Sequence, residues 1–172
     1  MISRVAKIDI AVEYLRDSLA HFKSGHYFSA LNLAGASEEI LGNAIRQLSN
    51  QASAPRLQVT SALNDEIKGR MHLDRLLGAE RRNEKQIREQ ILAAKNSAKH
   101  YDAGDDGSID FDPQCEAANL IFRAITNYRI IFPTAQDDFE IEEQDIANHQ
   151  MNEMWKRTLS PSALRGLISS ID

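Results

Sequence analysis

Apolar residues recur three and four positions apart along most of this chain, and that spacing constrains the fold more than any other feature. An α-helix has about 3.6 residues per turn, so residues spaced in this way lie on one side of a helix and can pack into a core. In the first segment the pattern is carried by Val5, Ile8, Val12, Leu15, Leu19 and Phe22. The alternation of apolar and polar residues that is typical of β-strands is sustained nowhere. The sequence therefore predicts an all-α protein.

Glycine, proline and polar residues interrupt this pattern and divide the chain into segments. They predict helices over residues 5–22, 26–48, 62–77 and 81–101, and a fifth helix that starts at Asp112-Pro113 and ends at Pro133. An acidic residue followed by proline at the first helical position is a strong start signal. The polar stretch 49–56, which contains Pro55, is predicted to be a loop.

Length, charge and cysteine content narrow the classes of protein. The chain has 172 residues, 42% of them hydrophobic, which is enough for one ordinary domain with its own core. Its single cysteine, Cys115, cannot form an intramolecular disulfide, and residues 1–4 do not begin a signal peptide. No stretch approaches the roughly 20 consecutive apolar residues that are needed to cross a bilayer. We therefore expect a cytoplasmic protein that does not insert into a membrane. The net charge of -5 indicates that any binding of nucleic acid would depend on a local basic patch.

The C-terminal part has a different composition. Residues 137–145 contain six acidic residues and no basic one, and they are predicted to form a solvated linker. Short helices are expected after it, with apolar side chains from Met151, Met154, Trp155 and Leu159. We expect residues 134–172 to form an appendage that packs on the bundle, on a second subunit or on a partner.

A polar cluster on the predicted fourth helix has the composition that phosphate chemistry requires. It consists of Lys95, Asn96, Lys99 and His100. Residues four apart are neighbours on a helix, which pairs Lys95 with Lys99 and Asn96 with His100. We expect these side chains to emerge together on one exposed wall of the bundle. An imidazole can move a proton from a ribose hydroxyl near neutral pH, and cations stabilise charge on phosphoryl oxygens. The alternative is that the lysines are solvated and that His100 lies at a helix end, where its charge favours the dipole.

The second helix carries an acidic residue on its apolar side. Glu38 lies among apolar residues at helical spacing, and a carboxylate in a core requires a cationic or hydrogen-bonding partner. Its candidate partners are Lys95, Lys99, His100 and Arg123. A purely structural buried ion pair fits this pattern as well as a binding role does. Small residues surround Glu38, and they would let another helix approach closely: Gly35, Ala36, Ser37 and Gly42.

Three segments resemble one known family. Residues 28–42 (FSALNLAGASEEILG), 96–100 (NSAKH) and 123–128 (RAITNY) are together similar to a HEPN domain, and the resemblance covers about residues 5–132. It implies an up-and-down bundle of four to five helices over residues 1–133, which often dimerises through the face with the polar motif. Many members are metal-independent endoribonucleases, frequently toxins or defence factors. Others bind nucleotides or are inactive partner modules.

The resemblance also implies roles for individual residues. His100 matches the catalytic histidine, Asn96 matches the polar residue after the motif's arginine, and Lys95 occupies the arginine position. In the active form we also expect Lys95 and Lys99 to stabilise the transition state on the phosphate, and Lys99 and Glu38 to contact substrate. Lysine carries a compact charge where arginine offers a planar fork for phosphate, so the motif departs from the family's pattern at Lys95.

Two hypotheses follow for function. The first is an RNA- or nucleotide-directed module, in its active form a homodimeric endoribonuclease that needs neither metal nor cofactor. The second is a non-catalytic helical module that binds a partner protein. A calcium site in the acidic stretch 102–110 is not expected, because Gly104 and Pro113 occupy positions where oxygen ligands are needed.

Overall fold

The computed structural model describes residues 5–51, 60–78, 82–98 and 111–148, and all regular secondary structure in these ranges is helical. Five helices span α1 (Lys7–Lys23), α2 (Tyr27–Gln51), α3 (Ala62–Leu76), α4 (Glu84–Ser97) and α5 (Pro113–Ile131). Residues 140–148 form a further helix, α6. The chain is thus an all-α helical bundle with a C-terminal helix, which confirms the predicted fold class.

Local signals in the sequence explain where the helices begin and end. Gly25 and Gly78 have φ values of +77° and +62° after α1 and α3, a conformation that costs glycine little. Asn83 forms a capping box with Gln86, so α4 begins three residues after the predicted Arg81. Asp112 accepts hydrogen bonds from two backbone N–H groups of the first turn of α5, as the sequence predicts.

The hydrophobic core is centred on α2, which packs most extensively against α5 and α1. Its largest fully buried side chains in these three helices are Leu15, Leu31, Leu41, Ile45, Leu120, Ile121 and Ile125. Ser37 donates a hydrogen bond from Oγ to the backbone oxygen of Ala11 over 2.7 Å. The small residues of α2 therefore do allow close approach of a neighbouring helix.

α3 and α4 form a smaller apolar cluster of their own. Leu63 and Ile67 of α3 pack with Ile87 and Ile91 of α4, and Met71 and Leu92 cover them. These two helices contact α2 and α5 less extensively than α1 does. A polar seam therefore remains between α2 and the α3–α4 pair.

The chain divides into two compact units, Met1–Gln136 and Asp137–Asp172. The first unit holds α1 to α5. In the second, the prediction of a linker is wrong for residues 140–148, which are helical. Acidic side chains in a first helical turn interact favourably with the helix dipole, so a run of carboxylates is compatible with a helix start. The predicted apolar residues Met151, Met154, Trp155 and Leu159 lie outside the described residues.

Within the described ranges, no helix combines the length and the apolar character that crossing a bilayer requires.

Candidate functional site

Lys95 lies at the centre of the polar seam, with its amine turned into the protein. Nζ donates a hydrogen bond to the backbone oxygen of Gly35 over 2.9 Å and another to Glu39 Oε2 over 3.1 Å. It also lies 3.8 Å from Glu38 Oε2. The residue is only 6% exposed. The expectation that Lys95 projects from an exposed wall of the bundle is therefore wrong, because two of the three donors of its ammonium group bond oxygens of α2 and its charge lies beside Glu38.

The neighbouring Asn96 points in a different direction from Lys95. Consecutive helical residues point about 100° apart, so Asn96 is exposed while Lys95 is buried. The prediction of an exposed position therefore holds for Asn96 and is wrong for Lys95, although both residues line the same cavity. The other two members, Lys99 and His100, lie outside the described residues.

A cation lies beside the buried carboxyl group of Glu38, as a carboxylate in a protein core requires. Glu38 is 4% exposed, and Lys95, one of the four predicted candidates, lies beside it. Arg123, another candidate, instead donates from Nη1 to Glu66 Oε2 over 2.8 Å. Burial raises the pKa of the Glu38 carboxyl group above its ordinary value, although the positive charges of Arg123 and Lys95 act in the opposite direction.

The buried side-chain amide of Asn127 on α5 forms hydrogen bonds next to the polar seam. Asn127 accepts a hydrogen bond from the backbone N–H of Ala62 over 2.8 Å at the start of α3. Its Nδ2 donates to the backbone oxygen of Glu38 over 3.4 Å. Asn127 therefore links α2, α3 and α5 next to the buried carboxyl group. This role was not predicted from the sequence, although a polar amide on the apolar side of α5 needs a partner for the same reason as Glu38 does in α2.

A cavity of about 340 Å³ opens along the seam between α2, α3 and α4. This volume is within the usual range of small-molecule sites. Leu63 and Leu92 contribute apolar surface, and Gly42 lies at the wall. The polar residues that line the cavity are Glu38, Glu39, Arg46, Ser61, Asn64, Arg88, Lys95 and Asn96.

Two arginines on the cavity wall have hydrogen-bonding capacity that the protein does not use. Arg88 donates through Nη2 to Asn64 Oδ1 over 3.0 Å and to Glu84 Oε1 over 3.3 Å. Arg46 donates through Nη2 to Asn43 Oδ1. In the part of the chain that the structure describes, Nε and Nη1 of both arginines have no hydrogen-bond partner. These groups could bind an anion in the cavity.

Sequence reasoning did not identify Arg46 and Arg88, although helical spacing offers a signal. Arg88 precedes Lys95 by seven residues, and Arg46 follows Glu38 by eight. Both separations are close to two helical turns, which places each arginine on the same side of its helix as the residue that it accompanies.

The described residues contain no group of three or more His, Cys, Asp or Glu side chains arranged to hold a metal ion. Comparison of the chain with known family profiles, with curated proteins and with solved structures finds no significant match.

Proposed function

We propose that this chain is a cytoplasmic, HEPN-like module that acts on RNA or a nucleotide. The observation that carries the proposal is the position of Lys95 and Asn96, the described part of the predicted motif, on the wall of a polar cavity. This places the segment next to a space that has the size of a small-molecule site.

The polar lining of the cavity suits a ligand with phosphate and hydrogen-bonding groups. Arginine provides donors for phosphate oxygens, while the side chains of Ser61, Asn64 and Asn96 can hydrogen-bond sugar or base atoms. Three cationic residues line the cavity against two acidic ones, in a chain whose net charge is -5. The cavity therefore has one more cationic than acidic side chain, and this local charge supports the proposal for an acidic protein that binds nucleic acid.

In the catalytic form of the proposal, His100 accepts the proton of a ribose 2′-hydroxyl, whose oxygen forms a bond to the adjacent phosphorus. The bond from phosphorus to the 5′-oxygen breaks, the leaving 5′-oxygen takes up the proton from His100, and the other product carries a 2′,3′-cyclic phosphate. Asn96 contacts the substrate, Lys99 stabilises the phosphoryl charge, and motifs from two subunits flank one phosphate. Lys95 serves this arrangement by holding α4 against α2.

The direct test is RNA cleavage in EDTA by the native protein and by His100→Ala. We expect the native protein to produce fragments with cyclic-phosphate ends and the variant to produce none. Equal cleavage by both proteins would contradict a role for His100. RNA binding without cleavage by either protein would identify a non-catalytic binding module, and the absence of both would reject the proposal.

An apolar surface at the end of α3 favours a second candidate function, the binding of a partner protein. Leu73, Leu76 and Leu77 are 54%, 68% and 78% exposed, and their spacing brings them together at one end of the helix. Clustered exposed leucines are typical of protein-binding surfaces. Under this alternative, replacing Leu76 and Leu77 together by serine abolishes complex formation with the partner and leaves RNA affinity unchanged.

A further inference from the structure

We propose that Arg46 of α2 and Arg88 of α4 together bind one phosphate group in the cavity, and that Lys95 does not contact it. The inference rests on the proposed function, since it names the residues that recognise the phosphate of the RNA or nucleotide. It differs from the expectation based on the family resemblance, in which the cation at position 95 contacts that phosphate.

The first argument concerns the hydrogen bonds of Lys95. An ammonium group has three donors and no acceptor. Nζ of Lys95 lies within 3.1 Å of two oxygens, one from Gly35 and one from Glu39, and the buried Glu38 is its third neighbour. Nζ is therefore bonded to two oxygens and has two carboxylates within 3.8 Å, which would repel an approaching phosphate. Movement of the amine out of this position to reach a phosphate would leave Glu38 buried without its nearest cation, which would be costly.

The second argument concerns the two arginines. Among the residues that the structure describes, each uses only Nη2 for a protein contact, which leaves the Nε and Nη1 donors of both side chains available. A guanidinium group can bind two phosphate oxygens through parallel hydrogen bonds, and such charge-assisted bonds are stronger than neutral ones. Since the two arginines belong to different helices of one cavity wall, a phosphate between them would connect α2 with α4.

The acidic residues in and near the cavity do not prevent the two arginines from binding a phosphate. Glu38 and Glu39 both lie beside Lys95, which compensates part of their charge. Glu84 pairs with Arg88 over 3.3 Å but is itself 66% exposed, so water screens this contact. The guanidinium groups therefore remain the cations with donors available to a ligand.

The ligand class is a phosphate ester, either a diester of an RNA chain or the monoester of a free mononucleotide. The experiment measures the affinity of a fluorescent oligoribonucleotide by anisotropy, for the native protein, Arg46→Gln and Arg88→Gln. Arg75→Gln is the matched control, since Arg75 is exposed on α3 and does not line the cavity. Loss of a charge-assisted hydrogen bond corresponds to about a tenfold loss of affinity.

We expect each cavity variant to bind RNA about tenfold more weakly and to lower the dependence of log affinity on log salt by about one. Arg75→Gln should stay within about twofold of the native protein. Arg46 is exposed, and its hydrogen bond within the described part of the chain goes to Asn43 of its own helix, so its replacement tests the proposal even if Arg88→Gln unfolds. Native affinity in Arg46→Gln, or an equal loss in Arg75→Gln, would overturn the proposal.

A second experiment distinguishes a failure of the phosphate site from a failure of the proposed function on which it rests. Calorimetric titration with adenosine 5′-monophosphate and with inorganic phosphate tests the arginine pair without RNA. Binding of either compound that is lost in Arg46→Gln, in a protein that does not bind RNA, would support the phosphate site and identify a free nucleotide or phosphate as its source. RNA binding that is unaffected by both cavity variants would support the function and reject the phosphate site. Failure to bind any of the three ligands would reject both.

Discussion

The amine of Lys95 in α4 donates a hydrogen bond to the backbone oxygen of Gly35 in α2 over 2.9 Å. This contact requires a close approach of the two helices. A Cβ atom at position 35 would lie only 3.1 Å from both Cδ and Cε of Lys95. The absence of a side chain at Gly35 is therefore what allows the lysine stem to lie flat on α2 and its amine to reach the carbonyl group.

Gly35→Ala should destabilise the protein by about 1 kcal/mol, even though alanine is favoured over glycine in a helix interior by about 0.5–1 kcal/mol. The new methyl group would displace a lysine that is anchored at its amine. Gly69→Ala is the control, because nothing lies within 4 Å of the corresponding Cβ in α3, and it should stabilise by about 0.5–1 kcal/mol. Chemical denaturation measures both changes. Equal stabilisation by the two substitutions would contradict a close contact at Gly35.

Lys95→Met should lower the free energy of unfolding by about 3 kcal/mol at neutral pH, because it leaves Glu38 buried without its nearest cation. The loss should be smaller when Glu38→Gln is already present, and a double-mutant cycle measures this difference. Lys85→Met is the control on the same helix, since the Lys85 side chain is 84% exposed, and it should change stability by less than about 0.5 kcal/mol. Additive effects of the two seam substitutions would refute the pairing.

The raised pKa of Glu38 predicts a specific dependence of stability on pH. Burial is the main cause, Arg123, Lys95 and Arg46 oppose it, and Glu39 reinforces it. Between the ordinary pKa of 4.5 and the raised value, the folded state holds more protons than the unfolded state. The contribution of Glu38 to stability therefore falls as pH rises through this interval, and the ionised group is unfavourable above it.

Glu38→Gln removes this titration, so its stability relative to the native protein should increase from pH 4.5 upwards and then level off. Unfolding curves from pH 4 to pH 8 measure the difference in free energy of unfolding between the two proteins. Because other groups titrate in both proteins, their contributions cancel in this difference. A difference that stays constant over this range, or that decreases as pH rises, would show that the pKa of Glu38 is not raised.

Periodicity and capping signals were sufficient to predict the helices of the first unit. Asp112 and Gly78 mark helix ends in the sequence and in the structure, because caps and left-handed glycines depend on local chemistry. A buried carboxylate is costly wherever it lies, so the sequence showed that Glu38 needs a partner and offered four candidates, of which the structure places Lys95 beside it. The run of acidic residues was misleading, since charge alone does not distinguish a linker from a helix start.

The arrangement of the cavity could not be predicted in the same way. Lys95 follows Ile91 by four residues, a spacing that placed it at the edge of the buried side of α4, but its charge favoured an exposed position. Whether such a lysine turns inward depends on the glycine and the carboxylates of α2. Arg46 and Arg88 belong to different helices, so only the packing of α2 against α4 brings them to one cavity.

The most direct test of the account is an NMR titration of the protein with a short oligoribonucleotide, observing the Nε–Hε groups of arginine and the Nζ group of lysine. We predict that the Arg46 and Arg88 resonances shift with saturation of the site and that the Lys95 resonance does not. A shift at Lys95, with the two arginine resonances unchanged, would contradict the central claim that the arginines bind the phosphate while the lysine holds the helices together.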